Sequence, residues 1–523
     1  MGNPFVTSGS EGWSLKRPVR ILHALLPGLA NIFLLILGVV VLAKGIDEAP
    51  LIDWDEATYA EVTHEAIVNH SYLDFTLNGQ SYVKKPPLLF WMMVASFKAF
   101  GESEFSARLP SIVMGVGTLL LMYAMAAADF GRLAGLAAGM FPLGFYFFVA
   151  RGGRECATDA PLIFFSTLAI FALSHARSHR GWMPVAGVAC GLALLSKGAA
   201  GLIPLSVAVI ALLAIPAFSE LRIIGLITIV AASAAVAAPW FIYQLIHNGS
   251  VFWTTFIKHE TLMRIARHLE DEPPAAGFTV RTFSSEVRFL WPLLLPLAGI
   301  ARAAVRARGW GMIRCIPASV RVWLLWFAVA FTAACVVQTK LGWYVLPALI
   351  PVALLGAAAV ASALMQAGTA RTYCRPLATA ALLLLPFTAA QQWGRIESSF
   401  ARERARSRPS YEMGMRAIAF AAVRGGGELY FAGPPLPTTV YYSGMRCHFV
   451  SPSEPDFELA DLGGNPISVS YHELVLRDPS GMVTAVDNFD EEWNASGPSL
   501  ERDHPLTAET LGLPAQEVQP SAE

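Results

Sequence analysis

Apolar stretches dominate this chain and decide what it can become. They fall at about 22–43, 108–128, 133–150, 157–175, 183–196, 199–217, 222–245, 286–302, 321–338, 342–363 and 376–391. A membrane span needs about 20 largely apolar residues, and lipid admits only helices and closed barrels. Eleven such stretches predict an α-helical polytopic membrane protein of about 11–13 transmembrane helices. Only 15% of the 523 residues are charged and 54% are hydrophobic, against about 25% charged in soluble domains. A soluble chain of this length would need several charged surfaces that this one cannot supply. Lys and Arg total 38 against 39 Asp and Glu, so no basic field exists for nucleic acid. Six cysteines are too few for a disulfide scaffold.

Charge sets the expected topology. Lys16, Arg17 and Arg20 precede the first stretch, which reads as a retained first helix behind a cytoplasmic segment, 1–21. Pro87–Phe100 is apolar but short, and suits an interfacial helix. With it kept on the outer face, Arg132, Arg177, Arg180, Arg302, Arg306, Arg308, Arg314, Arg371 and Arg375 all fall in cytoplasmic loops. Arg402, Arg404, Arg406 and Arg408 then lie outside, against the rule. The transmembrane region covers 22–394, with outer loops at 45–107 and 246–285. Residues 395–493 read as a small periplasmic α/β soluble domain, and 494–523 as a disordered tail.

The charged residues gather beside the outer ends of the stretches. Asp53, Asp55, Glu56 and Glu61 follow the first one. Asp55 and Glu56 read either as the start of a helix, capping and complementing its dipole, or as a general base toward a hydroxyl. Lys84 and Lys85 precede two prolines; they read as interfacial anchors or as a phosphate grip. Lys197 sits between two apolar stretches, where an ionisable residue points to function. Lys340 is similar, with Trp343 and Tyr344 beside it. Arg151, Arg154, Glu155 and Asp159 form a charged knot that fits a local ion-pair network or a site. The loop 246–285 carries Lys258, His259, Glu260, Arg264, Arg267 and His268. His259 reads as a solvated histidine, a proton shuttle or a metal ligand. No Walker loop, GxGxxG, CxxC or HExxH motif is present.

The motifs DWDEATYAE, NGQSYVKKPPLLFWMMVASFKAFGESEFSARLPS, SKGAAGLIP, KHETLMRIAR and TKLGWYVLP occur in this order. Over about 45–365 they resemble the bacterial branch of the GT-C glycosyltransferases, which includes the lipid A aminoarabinose transferase and relatives of the protein O-mannosyltransferases. The resemblance implies transfer of a sugar from a polyprenyl-phosphate donor to a lipid A-like lipid, a glycan or a protein, at the periplasmic face of the bacterial inner membrane. It implies Asp55 as base, with Glu56 beside it. Lys85, Lys197 and Arg264 would hold the donor phosphate, and His259 and Tyr344 match further motif positions. Tyr59 belongs to the first motif, where Thr58 replaces an arginine of the aminoarabinose transferases. Lys84 replaces a residue that in some relatives ligates a metal together with the motif histidine, so a divalent metal at His259 stays open and no other cofactor is called for. With the knot and the lysine beside the last motif, the substrate-binding candidates are Tyr59, Lys84, Lys85, Arg154, Asp159, Lys197, His259, Arg264, Lys340 and Tyr344. The alternatives are a membrane transporter and an assembly subunit that binds polyprenyl lipids without catalysis. A transporter would carry polar residues at the middle of its spans and inverted repeats; neither is visible here.

Overall fold

A computed structural model describes residues 16–52, 54–269, 275–306, 316–365, 371–424, 426–432, 437–450, 457–460, 466–469, 473–477, 479 and 483–488. Asp53, residues 1–15 and the tail at 494–523 lie outside that set.

The chain is a multi-pass helical membrane protein. Its first helix, α1 (Lys16–Ala43), leads through a loop to α2 (Asp55–Val68). A two-residue hairpin follows, β1 (Thr76–Leu77) against β2 (Gln80–Ser81), and then α3 (Leu88–Phe100) and α4 (Glu104–Phe130). Next come α5 (Arg132–Met140), the short α6 (Tyr146–Val149), α7 (Asp159–His175), α8 (Trp182–Lys197), α9 (Leu202–Ala214) and α10 (Arg222–His247). The second half holds α11 (Gly249–Phe252), α12 (Arg264–Ala266), α13 (Phe278–Val287), α14 (Leu294–Arg306), α15 (Ala318–Val336), α16 (Leu346–Leu364) and the long α17 (Arg371–Arg424).

The apolar stretches differ in how they are built. Among the described residues, five helices are long and apolar enough to cross: Glu104–Phe130, Trp182–Ala214, Pro216–His247, Ala318–Val336 and Gly342–Leu364. The stretch at 133–150 breaks instead, because Arg132–Gly144 and Tyr146–Arg154 meet at 87°. Those at 22–43 and 157–175 give shorter apolar helices, Gly28–Ala43 and Asp159–His175, and Leu88–Phe100 is likewise short. Trp182–Ala214 is continuous in sequence but doubles back. A Cβ on Gly201 would lie 2.4 Å from the Ala193 carbonyl oxygen, although eight residues of straight helix span about 12 Å. Gly198, at φ +50°, supplies the left-handed step of this reversal. Lys197 therefore stands at a hairpin tip.

Two cores organise the molecule. The larger packs α4, α5, α7, α8, α9, α15 and α16, with Trp323 and Trp326 fully buried. The smaller lies under α2, α3 and the hairpin, where Tyr59, Phe75 and Tyr82 surround Phe90. On α10, Ile223, Ile224, Ile227, Ile242, Leu245 and Ile246 stay exposed. An apolar face of that extent needs lipid rather than water.

The boundary expected at 394–395 falls inside α17, which runs unbroken to Arg424 and takes in the Arg402–Arg408 cluster. Beyond it, β3 (Glu428–Ala432) pairs in parallel with β4 (Cys447–Val450). It pairs antiparallel with β7 (Glu473–Arg477), which pairs with β8 (Val483–Asn488), giving the order β4-β3-β7-β8. Helix α18 (Pro437–Ser443) crosses over between β3 and β4, and β5 (Phe457–Ala460) pairs with β6 (Pro466–Val469). The α/β reading of this region therefore stands.

Candidate active site

The loops at one end of the helices converge on two adjoining charge clusters. The first is built on Asp55, the opening residue of α2. Its preceding residue, Trp54, takes φ +78°, a backbone state uncommon outside glycine. The N-cap residue, Trp54, makes no side-chain cap hydrogen bond. One Asp55 oxygen accepts from the Tyr59 hydroxyl at 3.0 Å, and the other is bonded by the Arg151 guanidinium. Burial alone would raise the Asp55 carboxyl, but the charges of Arg151, Lys85 and Lys197 outweigh it. They hold the group well below the usual carboxylate range.

Arg151 is the hub of this cluster. It sits in a single π-helical turn, Ala150–Arg154, of the kind that often re-aims a side chain at a functional site. Gly115 of α4 lets that turn approach: a Cβ there would lie 2.9 Å from the Gly152 carbonyl oxygen. Besides Asp55, Arg151 bonds Asp159 Oδ2 at 3.2 Å and Glu155 Oε2 at 3.4 Å, and covers the Trp343 ring at 4.2 Å. Asp159 in turn takes both of its oxygens to Lys197 Nζ, at 2.6 and 2.7 Å. Lys197 lies 5.8 Å from the centre of the Tyr344 ring. The order Asp55–Arg151–Asp159–Lys197 thus links the first loop to the α8–α9 hairpin.

The second cluster forms around Glu260, in an eleven-residue π-helical segment, Trp253–Met263. Lys85 Nζ approaches Glu260 at 3.3 Å, Arg264 Nε at 3.2 Å and His259 Nδ1 at 3.5 Å. Burial would raise Glu260, but Lys85, the His259 hydrogen bond, Arg264 and Lys84 carry it well below its ordinary value. Lys84 is pushed down to about 8, chiefly by burial and further by Lys85 and Arg264, with Glu260 opposing. Among the described residues, Lys84, Lys85 and Arg264 gather on the one carboxylate of Glu260. Tyr82 feels both Asp55 and Glu260 and lies between the clusters.

Residues 84–243 match the family model for dolichyl-phosphate-mannose-protein mannosyltransferases, a segment that includes Lys84, Lys85, Arg151, Asp159 and Lys197. The undecaprenyl phosphate-alpha-4-amino-4-deoxy-L-arabinose arabinosyl transferase of Pseudomonas aeruginosa is 29% identical over 315 residues, 58% of this chain and 54% of that protein. The chain therefore spans about half the length of the curated relatives it matches. Among solved structures, ArnT from Cupriavidus metallidurans bound to undecaprenyl phosphate aligns with a TM-score of 0.61 at 18% identity, covering 80% of this chain and 85% of that one. Its apo state aligns with the same score at 20% identity. The chain shares the fold of these ArnT structures. The resemblance drawn from its motifs is thereby met at the level of fold.

Within this fold the expected site residues separate into two sets. Asp55, Tyr59, Lys84, Lys85, Asp159, Lys197, His259, Arg264 and Tyr344 converge. Three others do different work. Glu56 is 2% exposed and fully engaged: Arg108 grips both its oxygens at 2.9 and 2.6 Å, and the Ile52 and Cys156 amides donate to it. No oxygen is left to take a proton from substrate. Arg154 turns away to the C-terminal carbonyls of α1, Val41 at 3.1 Å and Lys44 at 2.7 Å. Lys340 caps α15 through the Ala334, Cys335 and Val337 carbonyls, a favourable place for a cation. Around His259, among the described residues, no three His, Cys, Asp or Glu side chains form a ligand set, and the neighbours of Glu260 are cations.

Arg108 escaped the sequence reading. It is 5% exposed and also donates to the Ile46, Ala49 and Pro50 carbonyls, locking the loop from α1 to α2. Its signal was available: a charge at the edge of an apolar run is costly and marks a partner. Glu260 and Tyr82 were visible as residues, but nothing local announced what they face.

Proposed function

We propose that the chain is an integral membrane glycosyltransferase that moves a sugar from a polyprenyl-phosphate donor to an acceptor hydroxyl or amine. The work takes place at the periplasmic face of the bacterial inner membrane. The observation that carries this reading is the meeting of one ionised carboxylate, Asp55, with a neighbouring cluster of basic side chains, Lys84, Lys85 and Arg264.

The chemistry follows from that division. Lys84, Lys85 and Arg264 take the donor phosphate, where charge grows as the bond to the sugar breaks. Glu260 holds these cations together until the phosphate competes for them. Asp55, kept ionised, accepts the proton of the attacking acceptor group. The acceptor atom bonds to the anomeric carbon, the bond from that carbon to the phosphate oxygen breaks, and the polyprenyl phosphate leaves with its electron pair. Tyr59 and Arg151 fix the direction of Asp55. Lys197 anchors Asp159, which in turn positions Arg151. Tyr344 and Trp343 offer ring faces to the sugar. The Pseudomonas aeruginosa relative, by its name, uses such a donor, which supports this donor class.

The test uses purified protein in detergent with a panel of synthetic polyprenyl-phosphate sugars and membrane extract as acceptor. Donor consumption and released polyprenyl phosphate are followed for wild type, Asp55→Asn and Lys197→Ala. Turnover by wild type that both variants lose supports the assignment. No donor bound or consumed across the panel overturns it.

A further inference from the structure

A second cleft, of about 410 Å³, opens on another face of α2, within the size range of small-ligand sites. Its floor is a helical stripe, Glu61, His64 and Glu65, and its walls are the β1–β2 hairpin and the Gly444–Arg446 turn. Glu61 is 6% exposed, and its Oε2 finds no hydrogen-bond partner among the described residues. The other members are engaged. Glu65 accepts from the Gly79 amide at 3.0 Å and from the Thr76 hydroxyl. His64 Nδ1 pairs with Glu102 at 2.8 Å. Glu61 and Glu65 stand close enough to share a hydrogen bond. Two carboxyls set acceptor to acceptor, one of them buried, require a positive charge or a proton between them.

We propose that this cleft is a binding site for a ligand bearing a primary ammonium group, with Glu61 and Glu65 as its counter-charges and Arg446 at the rim. Such a group comes from a soluble amino sugar or from an ethanolamine lipid headgroup. An ammonium offers three donors in a compact head, which matches the bare Glu61 oxygen and its neighbour. The site stands apart from the transfer chemistry and does not depend on it.

Without ligand, the proton fills the gap. Burial pushes Glu61 up to about 7, with Glu65 and Glu102 acting in the same direction and His64 opposing. Tyr441, Arg446 and Cys447 face it from the C-terminal region. Ammonium binding must displace that proton, so affinity rises from pH 6 to pH 7, above which an amino sugar begins to lose its own proton.

The experiment measures binding to the full-length protein in phosphatidylglycerol nanodiscs. Probes are D-glucosamine, its neutral counterpart N-acetyl-D-glucosamine, and phosphatidylethanolamine mixed into the disc. Saturable glucosamine binding that strengthens a few-fold between pH 6 and pH 7, absent for the N-acetyl form and lost in Glu61→Gln, supports a soluble source. Stabilisation by phosphatidylethanolamine alone, again lost in Glu61→Gln, supports the headgroup source. No response to either ammonium source in the wild-type protein overturns the proposal, as does equal binding of glucosamine and its N-acetyl form. Both of these readings need no variant. A donor-turnover assay on the same sample is independent, so failure here leaves the transferase reading intact.

Discussion

Arg108 offers the sharpest perturbation of this architecture. It makes two bonds to Glu56 and three to the carbonyls of the loop from α1 to α2, and both side chains are almost wholly buried. Removing one partner of such a pair strands the other and costs about 3–5 kcal/mol. Arg108→Ala should therefore lower the denaturation midpoint markedly, and Glu56→Ala by a similar amount. Arg108→Ala combined with Glu56→Ala strands no charge, so the double variant should fall short of the summed single losses by about 2–3 kcal/mol. Arg108→Lys should rescue little, because one ammonium cannot reach Glu56 and three carbonyls together. Denaturant titration in detergent, followed by tryptophan fluorescence, reads all four. Since this loop ends at Asp55, donor turnover should fall with stability in each single variant. Strictly additive losses, or Arg108→Ala with an unchanged midpoint, would refute the assignment of the pair as the clamp on Asp55.

Other outcomes follow from named contacts. Tyr59→Phe removes one hydrogen bond to an ionised carboxylate, worth about 1.5–3 kcal/mol, and should cut turnover at least tenfold with donor affinity little changed. Lys340→Gln should leave turnover near wild type, because that lysine caps α15 rather than joining the site; a large loss of turnover would restore it to the site. The pH dependence of stability should carry two opposite signs. Asp55 and Glu260 are depressed in the fold, so their contribution is complete above the unfolded carboxylate range and is lost only as pH falls through it. Glu61 is raised, so its contribution is present below its ordinary 4.5 and lost as pH rises toward about 7. Glu61→Gln should flatten stability between pH 5 and pH 8, as read by thermal melts.

The segments of the site were legible in sequence, and their pairings were not. Asp55, Lys85, Lys197 and Arg264 each stood out as a charge beside apolar sequence, and hydropathy alone places such residues at helix ends. Which carboxylate faces which cation is a tertiary fact: Lys85 meets Glu260 across 175 positions, and Arg151 meets Asp55 across 96. That is why Arg154 and Lys340 looked equivalent to Arg151 and Lys197. All four end apolar helices, but the first two satisfy backbone carbonyls and the others satisfy carboxylates. The form of each apolar stretch was out of reach for a related reason. Apolar content reports burial, in lipid or in protein, and cannot tell a crossing helix from a broken one packed inside the bundle.

The 54 residues of α17 have a mechanical consequence. At about 1.5 Å per residue the helix is roughly 80 Å long, far more than the ~30 Å apolar thickness of a bilayer. Some 30 residues follow the apolar stretch, roughly 50 Å of helix path, with Pro409 among them as a point of bending. The far end of the helix does not swing free. Tyr411 packs against Tyr442 of α18 at 4.6 Å. The Tyr442 hydroxyl receives the Leu51 amide at 2.8 Å and donates to Glu104 at 2.7 Å. Torque on the membrane part of α17 is therefore delivered, through one tyrosine, to the strand of loop that sets Asp55.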